Sequence, residues 1–315
     1  MKSDDRSCAL YGGNKPRKLE FVIGHALARG SRHLVTSGGL GTHHGLATAI
    51  LGRAAGLTTS LVLVYQPITE EVRESLGLAA AWGAEMVYGR NVPGAAIQSL
   101  RVLAASSLRG DRPYLVLAGG SSPRGDLGFV SAGLELGEQV RAGLLPEPAE
   151  IWVTVGTGGT AAGLVIGLKL AGLRTRLRGV LVTDILPPSP ASLARAARAV
   201  LRLLRRMDPE IPMLRIGPED FPLDRSQLGA GYGAPTEAGA SAAAVAAEQG
   251  VRLDLTYTAK CLAALREAAR CGTLATGPVV FWNTLSSIDV SGTAPLDPTQ
   301  AVLPKAIARV IGENP

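Results

Sequence analysis

Residues 151–163, I-W-V-T-V-G-T-G-G-T-A-A-G, decide the fold. An apolar, β-branched run enters Gly156, Thr157, Gly158, Gly159 and Thr160, and an apolar stretch of helical composition follows. Buried strand, glycine turn and helix in that order form the first half of a β-α-β unit. Successive glycines let neighbouring backbone N–H groups line one concave surface, and the helix start adds the positive end of its dipole. The loop predicts an anion site, with phosphate the expected occupant. Gly156-x-Gly158-x-x-Ala161 also satisfies the relaxed dinucleotide fingerprint, so a nicotinamide oxidoreductase remains an alternative at this point. A Walker A loop is excluded because no Gly-Lys-Ser/Thr follows. Residues 151–168 carry no charge, but five glycines and three threonines break the run, which is not the pattern of a membrane span.

Outward from this stretch, short β-branched runs recur at 33–37, 60–65, 85–89, 114–118, 179–184 and 279–283, with helical patterns between them. Near-continuous apolar strands alternating with helices predict an α/β fold with parallel sheets flanked by helices. Glycine pairs end several strands, at Gly38-Gly39 and Gly119-Gly120, where open α/β sheets carry ligand loops. A length of 315 residues predicts two lobes or one large α/β unit, and 46% apolar against 18% charged residues excludes disorder. The net charge of +6 is modest and aromatics make up 4%, too few for base stacking, so no nucleic-acid partner is expected. Cys8, Cys261 and Cys271 form no CxxC pair and no even framework, which predicts a reducing cytoplasm and no zinc site. The opening MKSDDRSCAL has no apolar signal core, and no membrane partner is expected.

Only six of the 32 basic residues are lysine, and amine chemistry needs lysine. Lys15 sits in Y-G-G-N-K-P-R-K-L-E, where Pro16 suits the first turn of a helix that Leu19, Ile23, Ala26 and Leu27 continue on one face. Near the positive end of a helix dipole and partly desolvated, its amine is biased toward the neutral, nucleophilic form. A third candidate loop, T-S-G-G-L-G-T-H-H-G, concentrates Thr42, His43 and His44. Adjacent histidines point to different helix faces, so no two-histidine metal clamp is expected, whereas a hydroxyl beside an imidazole suits ligand contact or proton transfer.

These segments, in this order, resemble the fold-type-II pyridoxal-phosphate enzymes, specifically the D-cysteine desulfhydrase and 1-aminocyclopropane-1-carboxylate (ACC) deaminase family. GGNKPRKLE is similar to the cofactor-lysine segment, which implies that Lys15 carries pyridoxal 5'-phosphate. SGGLGTHH resembles the Gly-Gly-Ile-Gln-Ser-Asn loop, implying that Thr42 is the active-site hydroxyl and that His43 touches the cofactor ring, with His44 beside the substrate. The loop Gly156, Thr157, Gly158, Gly159 and Thr160 falls on the phosphate cup, and residues 118–130 resemble the central Gly-Gly-Ser segment. Gly231-Tyr232-Gly233-Ala234-Pro235 resembles a substrate-lining tyrosine segment. Residues 254–260, D-L-T-Y-T-A-K, resemble Asp-Pro-x-Tyr-x-x-Lys, so Tyr257 inherits a catalytic role. VVFWNT resembles the strand that places a threonine, here Thr284, near the cofactor's pyridine nitrogen.

Within that family, Thr258 after Tyr257 and a hydroxyl at Thr284 follow the desulfhydrase pattern, where ACC deaminases carry glutamate and leucine. A hydroxyl supports the cofactor's electron withdrawal less than a carboxylate does, which suits β-elimination better than cyclopropane opening. Gly41, Thr42 and His43 depart from Gln, Ser and Asn, and Asn283, Leu285 and Ser286 depart from His and Gly-Gly. MKSDDRS resembles a segment that normally follows a longer leader with a strand, so either an upstream extension or a missing sheet edge is expected.

The resemblance implies a tryptophan-synthase-β-like architecture, with residues 1–30 and 125–315 in the large cofactor-binding lobe and 31–124 in the small one. It implies a lyase acting on a small amino acid, giving pyruvate, ammonia and sulfide, in a cytoplasmic homodimer. The alternatives are an ACC deaminase-type reaction, a nicotinamide oxidoreductase using the Gly156 loop, and a silent cofactor-binding protein.

Overall fold

Every strand pairing in the structure, a computed structural model that describes residues 1–312, is parallel, and the strands form two sheets. Contacts divide the chain into two units. The larger comprises Met1–Ser7, Gly12–Lys18 and Ser121–Ser287, and the smaller Cys8–Tyr11, Leu19–Gly120 and the chain from Ile288 onward. The first strand is β1 (Lys2–Ser3), and the division passes through the first helix, α1 (Asn14–Ala28), between Lys18 and Leu19.

In the smaller unit, β2 (His33–Gly39), α2 (His43–Ala54), β3 (Thr58–Val64), α3 (Glu70–Ala81), β4 (Glu85–Arg90), α4 (Val92–Leu108) and β5 (Pro113–Val116) alternate strictly. The strand order is β4-β3-β2-β5. Leu34, Leu61 and Leu63 on the strands meet Leu46, Ile50 and Leu76 from the helices in one buried core. Each of α2, α3 and α4 begins on a short polar cap, Thr42, Thr69 and Asn91, whose side chain accepts from a backbone N–H three residues on. Such caps satisfy donors that a helix start otherwise leaves open, worth about 1 kcal/mol each.

The larger unit continues with α5 (Leu127–Arg141), β6 (Glu150–Val155), α6 (Gly159–Leu170), β7 (Arg176–Leu181), α7 (Pro190–Met207), β8 (Leu223–Asp224), α8 (Glu237–Glu248), α9 (Thr258–Arg270) and β9 (Val279–Asn283). β6 is buried along its whole length, and α6 is buried on every face from Gly159 to Leu168. A helix apolar all round belongs in an interior, which accounts for the uncharged run 151–168. α7 shows the reverse: Ser189 and Ser192 form a capping box, Pro190 opens the helix, and its arginines lie outside the face carried by Leu193, Ala197 and Leu201. The stretch 208–233 holds one turn of 3₁₀ helix at Pro218–Asp220 and the two residues of β8.

Sheet order in this unit is β1-β9-β6-β7-β8. From β6 the chain steps to β7 and β8 on one side, while β9 and β1 fill the other, so the order reverses at β6. Ligands in open α/β sheets bind at such a reversal, outside the carboxyl ends of the strands. The loops leaving β6 and β9 are therefore the ones the topology brings together. The chain returns in α10 (Lys305–Ile311), whose Ile307 and Ile311 join the smaller unit's core.

Candidate active site

α1 begins where the two loops meet. The backbone N–H of Asn14 donates to the Thr284 carbonyl at 3.0 Å, just beyond β9. Its side-chain Nδ2 donates to the Thr160 hydroxyl at 3.3 Å, at the start of α6. Lys15 follows immediately and is half-buried. Among the described residues its amine has no hydrogen-bond or ion-pair partner. Burial above all, then the charge of Lys18, pushes that amine down to about 7, with Asp254 opposing. A lysine so placed is substantially neutral near physiological pH, which nucleophilic and base chemistry require.

Lys18, one turn further along α1, is only 2% exposed but is engaged: Nζ donates to Ser121 Oγ at 2.8 Å and lies 3.5 Å from Asp126 Oδ1. Burial lowers the Lys18 amine and raises the Asp126 carboxyl, and their attraction opposes both shifts. Ser121 Oγ in turn lies 2.6 Å from Thr157 Oγ1, so the pair braces the glycine loop.

The loop itself has the shape of a nest. Gly158 adopts φ +90°, a region costly for other residues, and a Cβ there would stand 2.2 Å from Leu193 Cδ2. A Cβ on Gly159 would stand 2.0 Å from Asp126 Oδ1 and 2.6 Å from Lys18 Nζ. Backbone thus approaches a buried charge pair where no side chain fits. The first bond of α6 runs from Ala162 N to Gly158 O at 3.0 Å, which leaves the N–H groups of Gly159, Thr160 and Ala161 without an intrahelical acceptor. Together with the dipole they make an anion-binding start to the helix.

Two tyrosines stand beside the loop. Tyr232 and Tyr257 share a hydroxyl–hydroxyl hydrogen bond of 2.6 Å, their rings edge to face with centroids 6.0 Å apart. A Cβ on Gly156 would lie 3.6 Å from Tyr257 Cε1, so that ring covers the start of the nest. Burial raises the Tyr232 hydroxyl's pKa, with the bond to Tyr257 opposing. Thr258, buried at the head of α9, exchanges hydrogen bonds with Asp254: its hydroxyl donates to Oδ1 at 2.7 Å and accepts from Asp254 N at 3.0 Å. Thr284 is half-buried, and its carbonyl takes the Asn14 N–H.

Lys15, Gly156–Thr160, Tyr232, Tyr257, Thr258 and Thr284 all belong to the larger unit. Thr42, His43 and His44 belong to the smaller. There Thr42 caps α2, its Oγ1 accepting from Gly45 N at 3.1 Å. His43 Nδ1 lies 3.4 Å from the Tyr11 hydroxyl, and its Nε2 3.4 Å from Glu71 Oε1. His44 is turned inward, Nε2 3.0 Å from Thr36 Oγ1. Sequence reasoning passed over Asn14, Lys18, Asp126 and Asp254. Each nevertheless lay inside a segment the sequence singled out, 12–20, 118–130 or 254–260, and Lys18 also stood one helical turn from Lys15. Among the described residues no group of three His, Cys, Asp or Glu could hold a metal, and no helix is long and apolar enough to cross a membrane.

A family model described as pyridoxal-phosphate dependent enzyme matches residues 2–284. The chain is 35% identical over 295 residues to nocardicin C-9' epimerase of Nocardia uniformis subsp. tsuyamanensis, covering 91% of this chain and 86% of that protein. It is 29% identical over 294 residues to D-cysteine desulfhydrase of Klebsiella pneumoniae, covering 90% and 85%. A crystal structure of an ACC deaminase homologue aligns with a TM-score of 0.73 and 26% identity, over 89% of this chain and 82% of that one.

Proposed function

Because the chain belongs to the family of pyridoxal-phosphate-dependent enzymes, we propose that it works at the α-carbon of a small amino acid, by a D-cysteine-desulfhydrase-like β-elimination. The residues present fit the cofactor. An unpartnered amine held near neutrality at Lys15 stands one residue from Asn14, which reaches the nest that would take the phosphate. That juxtaposition carries the reading. With the family match over residues 2–284, the nicotinamide alternative for the Gly156 loop falls away.

Lys15 would hold the cofactor covalently, Gly158, Gly159 and Thr160 would hold its phosphate, and Thr258 and Thr284 keep their proposed places near its ring. When bound, the cofactor supplies the electron sink that acidifies the substrate's Cα–H. Once the substrate's amine has displaced Lys15 from the cofactor, the freed, neutral Lys15 amine would take that proton at Nζ. The Cα–H electron pair becomes a Cα–Cβ double bond as sulfide leaves with its own bonding pair. Water then converts the resulting enamine to pyruvate and ammonia. Tyr257, with Tyr232 hydrogen-bonded to its hydroxyl, orients the substrate or returns a proton. Thr42, His43 and His44 keep, as separate proposals, the roles the resemblance gives them. We extend the proposal to a homodimer, testable by sedimentation, and to a cytoplasmic setting, which the free thiols of Cys8, Cys261 and Cys271 suit.

A second reading, inversion at the same α-carbon, is favoured by the 35% identity to an epimerase and by a tyrosine hydroxyl pair able to return a proton. Both are tested by incubating the loaded protein with D- and L-cysteine, β-chloroalanine and a panel of plain amino acids in D₂O. Pyruvate with sulfide or chloride supports elimination. Deuterated substrate of inverted configuration supports epimerisation. Ammonia from ACC would support the deaminase-type reaction, and no reaction with any of them, despite bound cofactor, would leave a silent binding protein.

A further inference from the structure

The tyrosine pair is held from behind by charges that the proposed reaction does not use. The turn before α8 passes Gly229, Gly231 and Gly233, all at positive φ, and carries Tyr232 between the last two. Gly231, at φ +119°, is where the turn meets Asp184: a Cβ there would lie 2.7 Å from Asp184 Oδ2. The Tyr232 backbone N–H donates to Asp184 Oδ1 at 2.8 Å. Tyr257 is anchored the same way, its N–H donating to Asp254 Oδ2 at 2.7 Å. Each tyrosine is thus tethered through its backbone to its own carboxylate.

Lys260 serves both. It is wholly buried, on the first turn of α9, and its Nζ donates to the Leu228 carbonyl at 3.1 Å, at the entry of the glycine turn. Asp184 and Asp254 are the two carboxylates whose charge favours its ammonium. Burial lowers the Lys260 amine and the two carboxylates oppose that shift, so the folded turn supplies the acceptor that a buried amine needs. Asp184 follows β7, Asp254 and Lys260 bracket Tyr257, and the turn comes from between β8 and α8. Three separate chain segments therefore meet at the backbone that carries the two tyrosines.

We propose that Asp184, with Lys260, is a positioning residue that sets Tyr232 against Tyr257 and so governs proton handling at the active site. This rests on the reading of the tyrosine pair as substrate-facing, and its first test does not depend on that reading. In cofactor-free protein with ¹³Cζ-labelled tyrosine, the Tyr232 signal, assigned through Tyr232→Phe, reports the hydroxyl's environment. Asp184→Ala removes the acceptor and should move that signal to the position of a solvent-exposed tyrosine. Asp184→Asn keeps an acceptor oxygen and should leave it in place. An unmoved signal in Asp184→Ala would overturn the proposal. So would an equal movement in Asp184→Asn, because the acceptor, not the net charge, would then be irrelevant. If Asp184→Ala does not fold, Gly231→Ala, which drives a methyl against the same carboxylate, serves in its place with the same expected displacement.

In the loaded enzyme, Asp184→Ala should lower kcat between ten- and a hundredfold, as expected for a group displaced by about 1 Å. In a Tyr232→Phe background it should have almost no further effect. Full additivity of the two changes would contradict action through Tyr232. Loss of the NMR effect sinks the positioning claim, whereas a normal NMR effect without any change in turnover sinks the substrate-facing reading of the pair.

Discussion

Lys15 and Lys18 stand one turn apart at the head of α1, yet of the two only Lys18 forms an ion pair among the described residues, its Nζ 3.5 Å from Asp126 Oδ1. Burial lowers the Lys18 amine and Asp126 opposes that shift, while the charge of Lys18 helps push the Lys15 amine down. In cofactor-free protein, the rate at which a small reagent acylates Lys15, followed by peptide mass spectrometry, should therefore rise with a midpoint near the value of about 7. Removing the pair as Lys18→Met with Asp126→Asn takes away a repelling charge and should move the midpoint up. The single Lys18→Met change is a poorer test, because it strands a buried carboxylate at a cost of about 3–5 kcal/mol.

The same amine links stability to pH. Its folded value of about 7 lies below the 10.5 of the unfolded chain, so between those values the unfolded state binds more protons and stability rises with pH. Below about 7 the folded protein carries a half-buried ammonium that has no hydrogen-bond or ion-pair partner among the described residues. Lys15→Met should accordingly melt higher than the parent chain at pH 6, without cofactor, and the advantage should shrink steadily toward pH 10. A constant difference across that range would show that the Lys15 amine is not buried as described.

Gly158 and Gly159 should tolerate no side chain. At φ +90° an alanine at position 158 is strained by roughly 1–2 kcal/mol before it meets Leu193. An alanine at 159 collides with the Lys18–Asp126 pair. Both variants should lose cofactor affinity by at least tenfold in a fluorescence titration, and free phosphate should compete with the cofactor in the parent protein. Unchanged affinity in Gly159→Ala would remove the phosphate from this loop.

Asp254 does for α9 what Thr42 does for α2, but twice over, accepting from the N–H groups of both Tyr257 and Thr258. Asp254→Ala should lower stability by about 1–2 kcal/mol in urea unfolding, the range for a lost helix cap. Asp254→Asn should recover most of it. Loss of the Thr258 hydroxyl in Thr258→Val should also destabilise, since that hydroxyl is buried against the same carboxylate.

Much of this was legible in the sequence. The uncharged run 151–168 and the β-branched stretches announce parallel strands because a sheet covered on both faces needs no polar alternation. Lys15 stood out because lysine is scarce here and Pro16 marks a helix start, and the nest stood out because glycines cluster only where backbone must come close. What stayed hidden is the support behind these groups. Asp126, Asp184 and Lys260 lie far along the chain from Lys18, Tyr232 and Leu228, and no periodicity links a carboxylate after one strand to a turn nearly fifty residues later. His43 and His44 show the same limit at short range: adjacency set them on different faces, but only the packing reveals that His44 turns in to Thr36 while His43 lies near Tyr11 and Glu71.

The central claim, that Lys15 is the cofactor-bearing amine facing the Gly156–Thr160 nest, is tested most directly by loading the protein with pyridoxal 5'-phosphate, reducing with borohydride and mapping the adduct by peptide mass spectrometry. The expected result is a single pyridoxyl group on Lys15, absent from Lys15→Ala and weakened by free phosphate. A stable adduct on Lys18, Lys260 or another lysine, with Lys15 left unmodified, would contradict the account.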